Sequence, residues 1–237
     1  MSSAIVQSPR GVTLVGGGPV SDRLLSQALR HAPDVVAADA GADRLLQRGL
    51  MPRAVIGDFD SITPSARAAL SDRLHHIPEQ DSTDFDKALR SIDAPFVLGL
   101  GFTGARVDHG LAVLNALARH AQRRCLILGD RDVTFVAPPE LELSLPVGTR
   151  LSLFPLGPVA GESEGLRWPI AGLRFAPDGM IGTSNEVAAS RVRLRFDARR
   201  MLVILPRGRL EAALAGLGVA PLTQPKASRR RVSSSAR

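Results

Sequence analysis

Ala54-Val55-Ile56-Gly57-Asp58-Phe59-Asp60-Ser61 decides how the rest of the chain reads. Ala54-Val55-Ile56 is short, apolar and β-branched, which predicts the end of a buried strand. Residues two apart on a strand point to the same side. Asp58 and Asp60 therefore bring two carboxylates together at the strand's C-terminal end. Such a pair repels unless a cation lies between them. An oxygen-only set suits a hard ion such as Mg²⁺, which keeps several waters and bridges to phosphates. Gly57 permits close approach of backbone to a ligand. The stretch also reads as an ordinary strand-to-helix turn, with Asp60 or Ser61 capping a helix ahead of Thr63-Pro64.

Working outward, strands and helices alternate. Gly11 to Val15 predicts a strand that runs into Gly16-Gly17-Gly18-Pro19, a tight turn that could also cradle phosphate. Leu24, Leu25, Ala28 and Leu29 recur at helical spacing, and Asp34 to Asp39 predicts the next strand. Thr63-Pro64 opens a helix as cap and first residue. Thr83 with Asp86 outlines a capping box for a helix carrying Ala88 and Leu89, while Asp81, Asp84 and Asp86 crowd one turn beyond what capping needs. A strand ending at Leu100 leads through Gly101 to Arg106 into another helix. A glycine-bearing loop at a helix N-terminus favours anions, and Arg106 adds a bidentate donor. This alternation predicts a mostly parallel sheet with helices on both faces and ligands at the strand C-termini. Asp39, Asp58, Asp60, Thr103 and Arg106 all fall there.

From about Val133 the helical period disappears. Arg191-Val192-Arg193-Leu194-Arg195-Phe196 alternates strictly, as a half-exposed antiparallel strand does. The reading is a three-layer α/β N-terminal domain over residues 10–132 and an antiparallel β-sandwich domain over 135–217. A basic tail over 221–237, rich in Ser, Pro and Arg, is expected to be disordered.

The formal net charge of +7 invites a polyanion partner. Its location argues otherwise. Five of the 30 Lys and Arg sit in the tail with no acid, so against 23 Asp and Glu the remainder is close to neutral. Aromatics make up 4% and Tyr is absent, so stacking platforms for bases are scarce. No specific nucleic-acid partner is expected. No apolar run is long enough to span a bilayer, and Met1 to Arg10 lacks a signal peptide's apolar core. The single Cys125, inside Cys125-Leu126-Ile127-Leu128, reads as a buried hydrophobe in a cytoplasmic protein.

Six motifs in order carry a family resemblance: Asp39-Ala40-Gly41-Ala42, Gly57-Asp58-Phe59-Asp60-Ser61, Gln80-Asp81-Ser82-Thr83-Asp84-Phe85-Asp86-Lys87, Thr103-Gly104-Ala105-Arg106-Val107-Asp108-His109, Gly165-Leu166-Arg167-Trp168-Pro169 and Thr183-Ser184-Asn185-Glu186. Together they resemble the thiamine pyrophosphokinases over about residues 12–205. The resemblance implies an α/β domain joined to a thiamine-binding β-sandwich, working as a homodimer with sites between subunits. It implies transfer of a diphosphate from ATP to thiamine, giving AMP and thiamine diphosphate. It places Asp58, Asp60 and Asp84 on Mg²⁺ positions, with Arg106 beside them in the chemistry. Asp39, Gly41, Thr103, Gly104, Arg106 and Asp108 fall on nucleotide-binding positions, and Gln80, Trp168, Ser184 and Asn185 on thiamine-contacting ones. Ala105 departs from the family, where Gly is more usual.

The lone Trp168 reads two ways, as a core residue or as a ring stacking on a cationic heterocycle. Two other functions stay open on sequence alone: transfer to another small alcohol, such as a pterin-type acceptor, and a catalytically silent nucleotide-binding protein.

Overall fold

The computed structural model describes residues 4–104 and 106–219; the expected basic tail and Ala105 lie outside them. The first half comprises β1 (Val6–Gln7), β2 (Val12–Val15), α1 (Asp22–His31), β3 (Asp34–Ala38), α2 (Gly41–Leu46), β4 (Ala54–Gly57), α3 (Pro64–Ala69), β5 (Leu74–His76), α4 (Asp84–Arg90), β6 (Ile92–Asp93), β7 (Val97–Leu100), α5 (Val107–Arg119) and β8 (Cys125–Leu128). Strands β5-β4-β3-β2-β7-β8 lie side by side and parallel. Their apolar runs are continuous because both faces are covered. On β3, Val35 and Ala37 face one core with Leu24, Leu25 and Ala28 of α1, while Val36 and Ala38 face the other with Leu89 of α4 and Leu117 of α5. The two expected caps form, Thr63 and Thr83 accepting from the backbone N–H groups of Ala66 and Asp86, and Ser21 caps α1 in the same way through Leu24 N–H. Only half of the expected capping box exists. The buried Asp86 carboxylate turns away to Arg119 (3.0 Å) and His120, tying α4 to the end of α5.

The second half comprises β9 (Asp132–Val136), β10 (Glu140–Ser144), β11 (Arg150–Pro155), β12 (Val159–Glu164), β13 (Arg174–Phe175), β14 (Gly182–Glu186), β15 (Arg191–Phe196), β16 (Met201–Pro206) and α6 (Leu210–Gly216). Here the sheet does something that hydropathy does not reveal. Strand β9 folds back antiparallel on β8, and β16, β11 and β14 follow, so one ten-stranded sheet runs through both halves. A second sheet, β10-β15-β12-β13, packs over the antiparallel part, and its Leu141, Val192 and Leu194 join the core that α1 covers. The strict alternation of β15 is now explained. Val192, Leu194 and Phe196 point inward, while Arg193 points outward between Glu142 and Glu164 on the flanking strands. None of the described helices is long and apolar enough to cross a membrane. Cys125 is buried and its thiol is pushed up to about 12, as expected of a hydrophobe rather than a nucleophile.

At the opposite end from the strand C-termini, Asp34 anchors the N-terminal segment. It accepts from Ser8 Oγ (2.5 Å) and Arg53 Nη1 (3.0 Å) and pairs with Arg10. Burial alone would raise its pKa, but Ser8, Arg10 and Arg53 together hold it below the ordinary aspartate range. A depressed folded-state pKa stabilises the fold above the unfolded-state pKa, and that stability is lost as pH falls through the folded value. Asp34→Asn is expected to cost about 1–2 kcal/mol at neutral pH, since both arginines are half exposed. The gap to the parent protein in urea denaturation should close as pH falls below the ordinary aspartate range. A pH-independent gap would refute the ionic account.

Candidate functional site

Parallel order brings the loops after β2, β3, β4 and β7 to one rim. The chain moves outward from β2 through β3 to β5 and then returns to β7 on β2's other side, and ligands bind at such reversals. A cleft of about 610 Å³ opens there, lined by Gly16–Gly18, Asp39, Asp58, Asp60, Gln80, Asp84, Lys87, Phe102 and Arg106 among others. The triple glycine has a packing cause. A Cβ at Gly18 would lie 2.6 Å from the Gly101 carbonyl oxygen, so the turns after β2 and β7 can touch only without side chains.

Asp39, Asp58 and Asp60 each offer a carboxylate oxygen, and these lie within 4.8 Å of one another. Asp39 is only 4% exposed, and its Oδ1 has no partner among the described residues. A buried unpaired acceptor of this kind calls for a cation or ordered water, so the donor set fits a hard divalent ion. The backbone is strained beside it: Asp39 and Phe59 have φ of +42° and +67°, a region that L side chains avoid. Burial and the neighbouring Asp84 raise the pKa of Asp39. The resemblance points to Asp58, Asp60 and Asp84, whereas the closest triplet has Asp39 in place of Asp84.

Asp84 has a different neighbour. Lys87, one turn along α4, is 1% exposed, and its Nζ lies 3.4 Å from Asp84 Oδ1 and 3.2 Å from Asp58 Oδ2. Burial would lower the lysine's pKa, but the Asp58 hydrogen bond and the two carboxylate charges raise it, so the ammonium stays charged. Sequence reasoning passed over Lys87 as a helix residue. The available signal was its three-residue spacing from Asp84, which puts both on one face. Gln80 Nε2 also donates to Asp58 Oδ2, at 3.1 Å.

The remaining expected positions divide. Arg106 lines the cleft at the start of α5, held by Asp108 through Nε (3.1 Å) and Nη2 (2.5 Å). This pairing keeps the exposed Asp108 carboxyl at about 2. Thr103 and Gly104 face a neighbouring apolar hollow of about 700 Å³ bordered by Leu111, Leu114 and Phe154. Gly41 has a steric reason for being glycine: a Cβ would sit 1.9 Å from the Val15 carbonyl oxygen, where α2 meets the end of β2.

Trp168, Ser184 and Asn185 do not line this chain's cleft. Trp168 is 53% exposed with the Arg167 guanidinium 5.0 Å above its ring, which rules out the core reading. Asn185 is buried and acts as a brace: its Nδ2 donates to the Trp168 carbonyl (2.7 Å), and its Oδ1 accepts from the Trp168 backbone N–H. Ser184, exposed at φ +60°, sits where the β11–β14 register shifts, and its N–H donates to Ser152 Oγ at 3.0 Å. Such irregularities re-aim side chains and recur beside functional sites.

An acid cluster, a buried ammonium, an arginine and a glycine turn around one cleft define a class of protein, one equipped to hold a cation and phosphates together. Comparison with known proteins narrows the class. Residues 25–128 match the family model described as thiamin pyrophosphokinase, catalytic domain, and residues 140–201 match the one described as thiamin pyrophosphokinase, vitamin B1 binding domain. Together these spans take in more than half of the chain, and the protein belongs to the thiamin pyrophosphokinase family.

Among curated relatives, thiamine pyrophosphokinase 2 of Oryza sativa subsp. japonica is 27% identical over 214 residues, covering 74% of this chain and 79% of the relative. Thiamine pyrophosphokinase of Bacillus subtilis (strain 168) is 26% identical over 210 residues, covering 82% and 97%. Among solved structures, thiamin pyrophosphokinase from Candida albicans shares the fold with a TM-score of 0.70 at 16% identity, over 87% of this chain and 97% of that one.

Proposed function

We propose that this protein transfers the diphosphoryl group of ATP to the hydroxyl of thiamine, releasing AMP. The observation that carries the reading is the cleft itself: Asp39, buried and with its Oδ1 unpartnered among the described residues, lies beside Asp58 and Asp60 in a cleft that Arg106 also lines, on a chain matched by both family models. Asp39, Asp58 and Asp60 would hold Mg²⁺, with Asp84 beside them; the ion supplies charge neutralisation at the phosphate oxygens when bound. The reaction asks for positioning and charge stabilisation more than covalent help. Arg106 can leave Asp108 for a phosphate, a bidentate exchange between like partners. Lys87 keeps Asp58 and Asp84 in fixed rotamers and limits the cluster's net negative charge. Incubation with ATP, Mg²⁺ and thiamine should yield AMP and thiamine diphosphate; ADP in place of AMP would overturn the reading.

The thiamine site is proposed to form between two copies of the chain. The exposed indole of Trp168 and the re-aimed Ser184 support this, since neither borders the chain's own cleft. Trp168→Ala should weaken thiamine binding by about 1 kcal/mol or more, leaving ATP affinity and melting temperature nearly unchanged in calorimetry. A destabilised variant with normal thiamine affinity would refute the stacking role. Mixing and refolding inactive Asp58→Asn with Trp168→Ala should restore part of the activity if each site draws on two chains. No recovery would count against shared sites.

A further inference from the structure

We propose that Glu79 is a positioning residue whose carboxylate, clasped by Arg90, sets the loop that carries Gln80 to the cleft. The inference rests on the thiamine reading above and adds a residue to it. Four donors converge on this one side chain. Glu79 Oε2 accepts from the backbone N–H groups of Asp81 (2.9 Å) and Ser82 (3.1 Å), and Oε1 accepts from Ser82 Oγ (2.5 Å) and Arg90 Nη2 (2.6 Å). Arg90 closes the last turn of α4, and Glu79 precedes its first. The clasp therefore joins the start of the loop to the far end of the helix. Gln80, Asp81, Asp84 and Lys87, all of which line the cleft, lie between its ends.

The loop has little else to fix it. Beyond the clasp, Thr83 supplies the helix cap, and Gln80 reaches out only to Asp58 and the Pro78 carbonyl. Gln80 itself is exposed, so no packing chooses its direction. A carboxylate that accepts two successive backbone N–H groups fixes the turn between them, and here that turn directs the Gln80 side chain toward Asp58. Asp84 and Lys87 belong to the helix and keep their places without the loop. The metal and phosphate side of the cleft should therefore tolerate loss of the clasp, and the thiamine side should not.

The test uses Glu79→Ala and Glu79→Gln in the full chain. Glu79→Ala is expected to raise KM for thiamine about tenfold, the effect of one misplaced hydrogen bond. KM for ATP should stay within about twofold and the melting temperature nearly constant. Glu79→Gln keeps an acceptor for Asp81 and Ser82 and should recover part of the loss. Amide exchange at Asp81 and Ser82 should be slow in the parent protein and should accelerate in Glu79→Ala whether or not substrate is present. Unchanged exchange at both amides, or KM values for ATP and thiamine that rise together with a fall in melting temperature, would overturn the positioning role. Failure of the parent protein to bind thiamine in calorimetry would instead overturn the proposed function, with the exchange measurement still deciding whether the clasp exists.

Discussion

Replacing Asp58 by Asn is expected to reduce turnover by about 100- to 1,000-fold, the scale of losing one preorganised electrostatic group. The side chain stands at the end of β4 and serves the cleft rather than the core. Burial would raise its pKa, but hydrogen bonds from Gln80 and Lys87 outweigh that, so the carboxyl is ionised at neutral pH. Asparagine keeps the shape and one oxygen acceptor for Lys87 but loses the charge that would bind the cation. Folding should survive at some cost, because relief of repulsion among the crowded carboxylates offsets part of what the buried Lys87 ammonium loses with the Asp58 charge. AMP release at saturating Mg²⁺ and thiamine is the measurement, with melting temperature as the control. Near-normal turnover would sink the metal role for Asp58.

The largest stability effect is expected at Lys87. Its ammonium is surrounded by protein and contacts the carboxylates of Asp58 and Asp84. Removing one member of such a buried group strands the others, typically at a cost of several kcal/mol. Asp84 is about one-third exposed, so water offsets part of that loss, and about 3 kcal/mol is expected for Lys87→Met in urea denaturation. Asp84 already has its pKa raised by burial, with Lys87 opposing and Asp58 adding to the shift. Adding Asp84→Asn should therefore recover part of the loss. A single variant that loses under about 1 kcal/mol would show that Lys87 tolerates removal and that its contacts are incidental.

The alternating strands and helices of the first half could be read directly, because each element carries its own period and its own cap. Asp58 and Asp60 were legible for the same reason, since their relation is local to one strand end. Asp39 was harder to assign. Its place in the acid triplet depends on β3 lying beside β4, a fact of strand order rather than of spacing. Lys87 was masked by composition, since a lysine on a short helix ordinarily faces water. The crowding of Asp81, Asp84 and Asp86 resolves into separate duties, with Asp81 and Asp84 at the cleft and Asp86 anchoring α5. Short elements escaped the reading altogether: β1 pairs with β6 over two residues, and α6 follows β16 without a capping signal.

The ten-stranded sheet also bears on how this chain can be divided and inherited. Strand β8 is bonded to β7 on one side and to β9 on the other. Cutting the chain between β8 and β9 would bare the backbone of Leu126, Ile127 and Leu128, an apolar edge of the kind that templates aggregation. The two spans that separate family models match are therefore not portable modules. They share one hydrogen-bonded fabric and should melt in a single transition. A lineage that reshaped the second half for another acceptor would have to do so by substitution in place, because exchanging the half would leave the first one open.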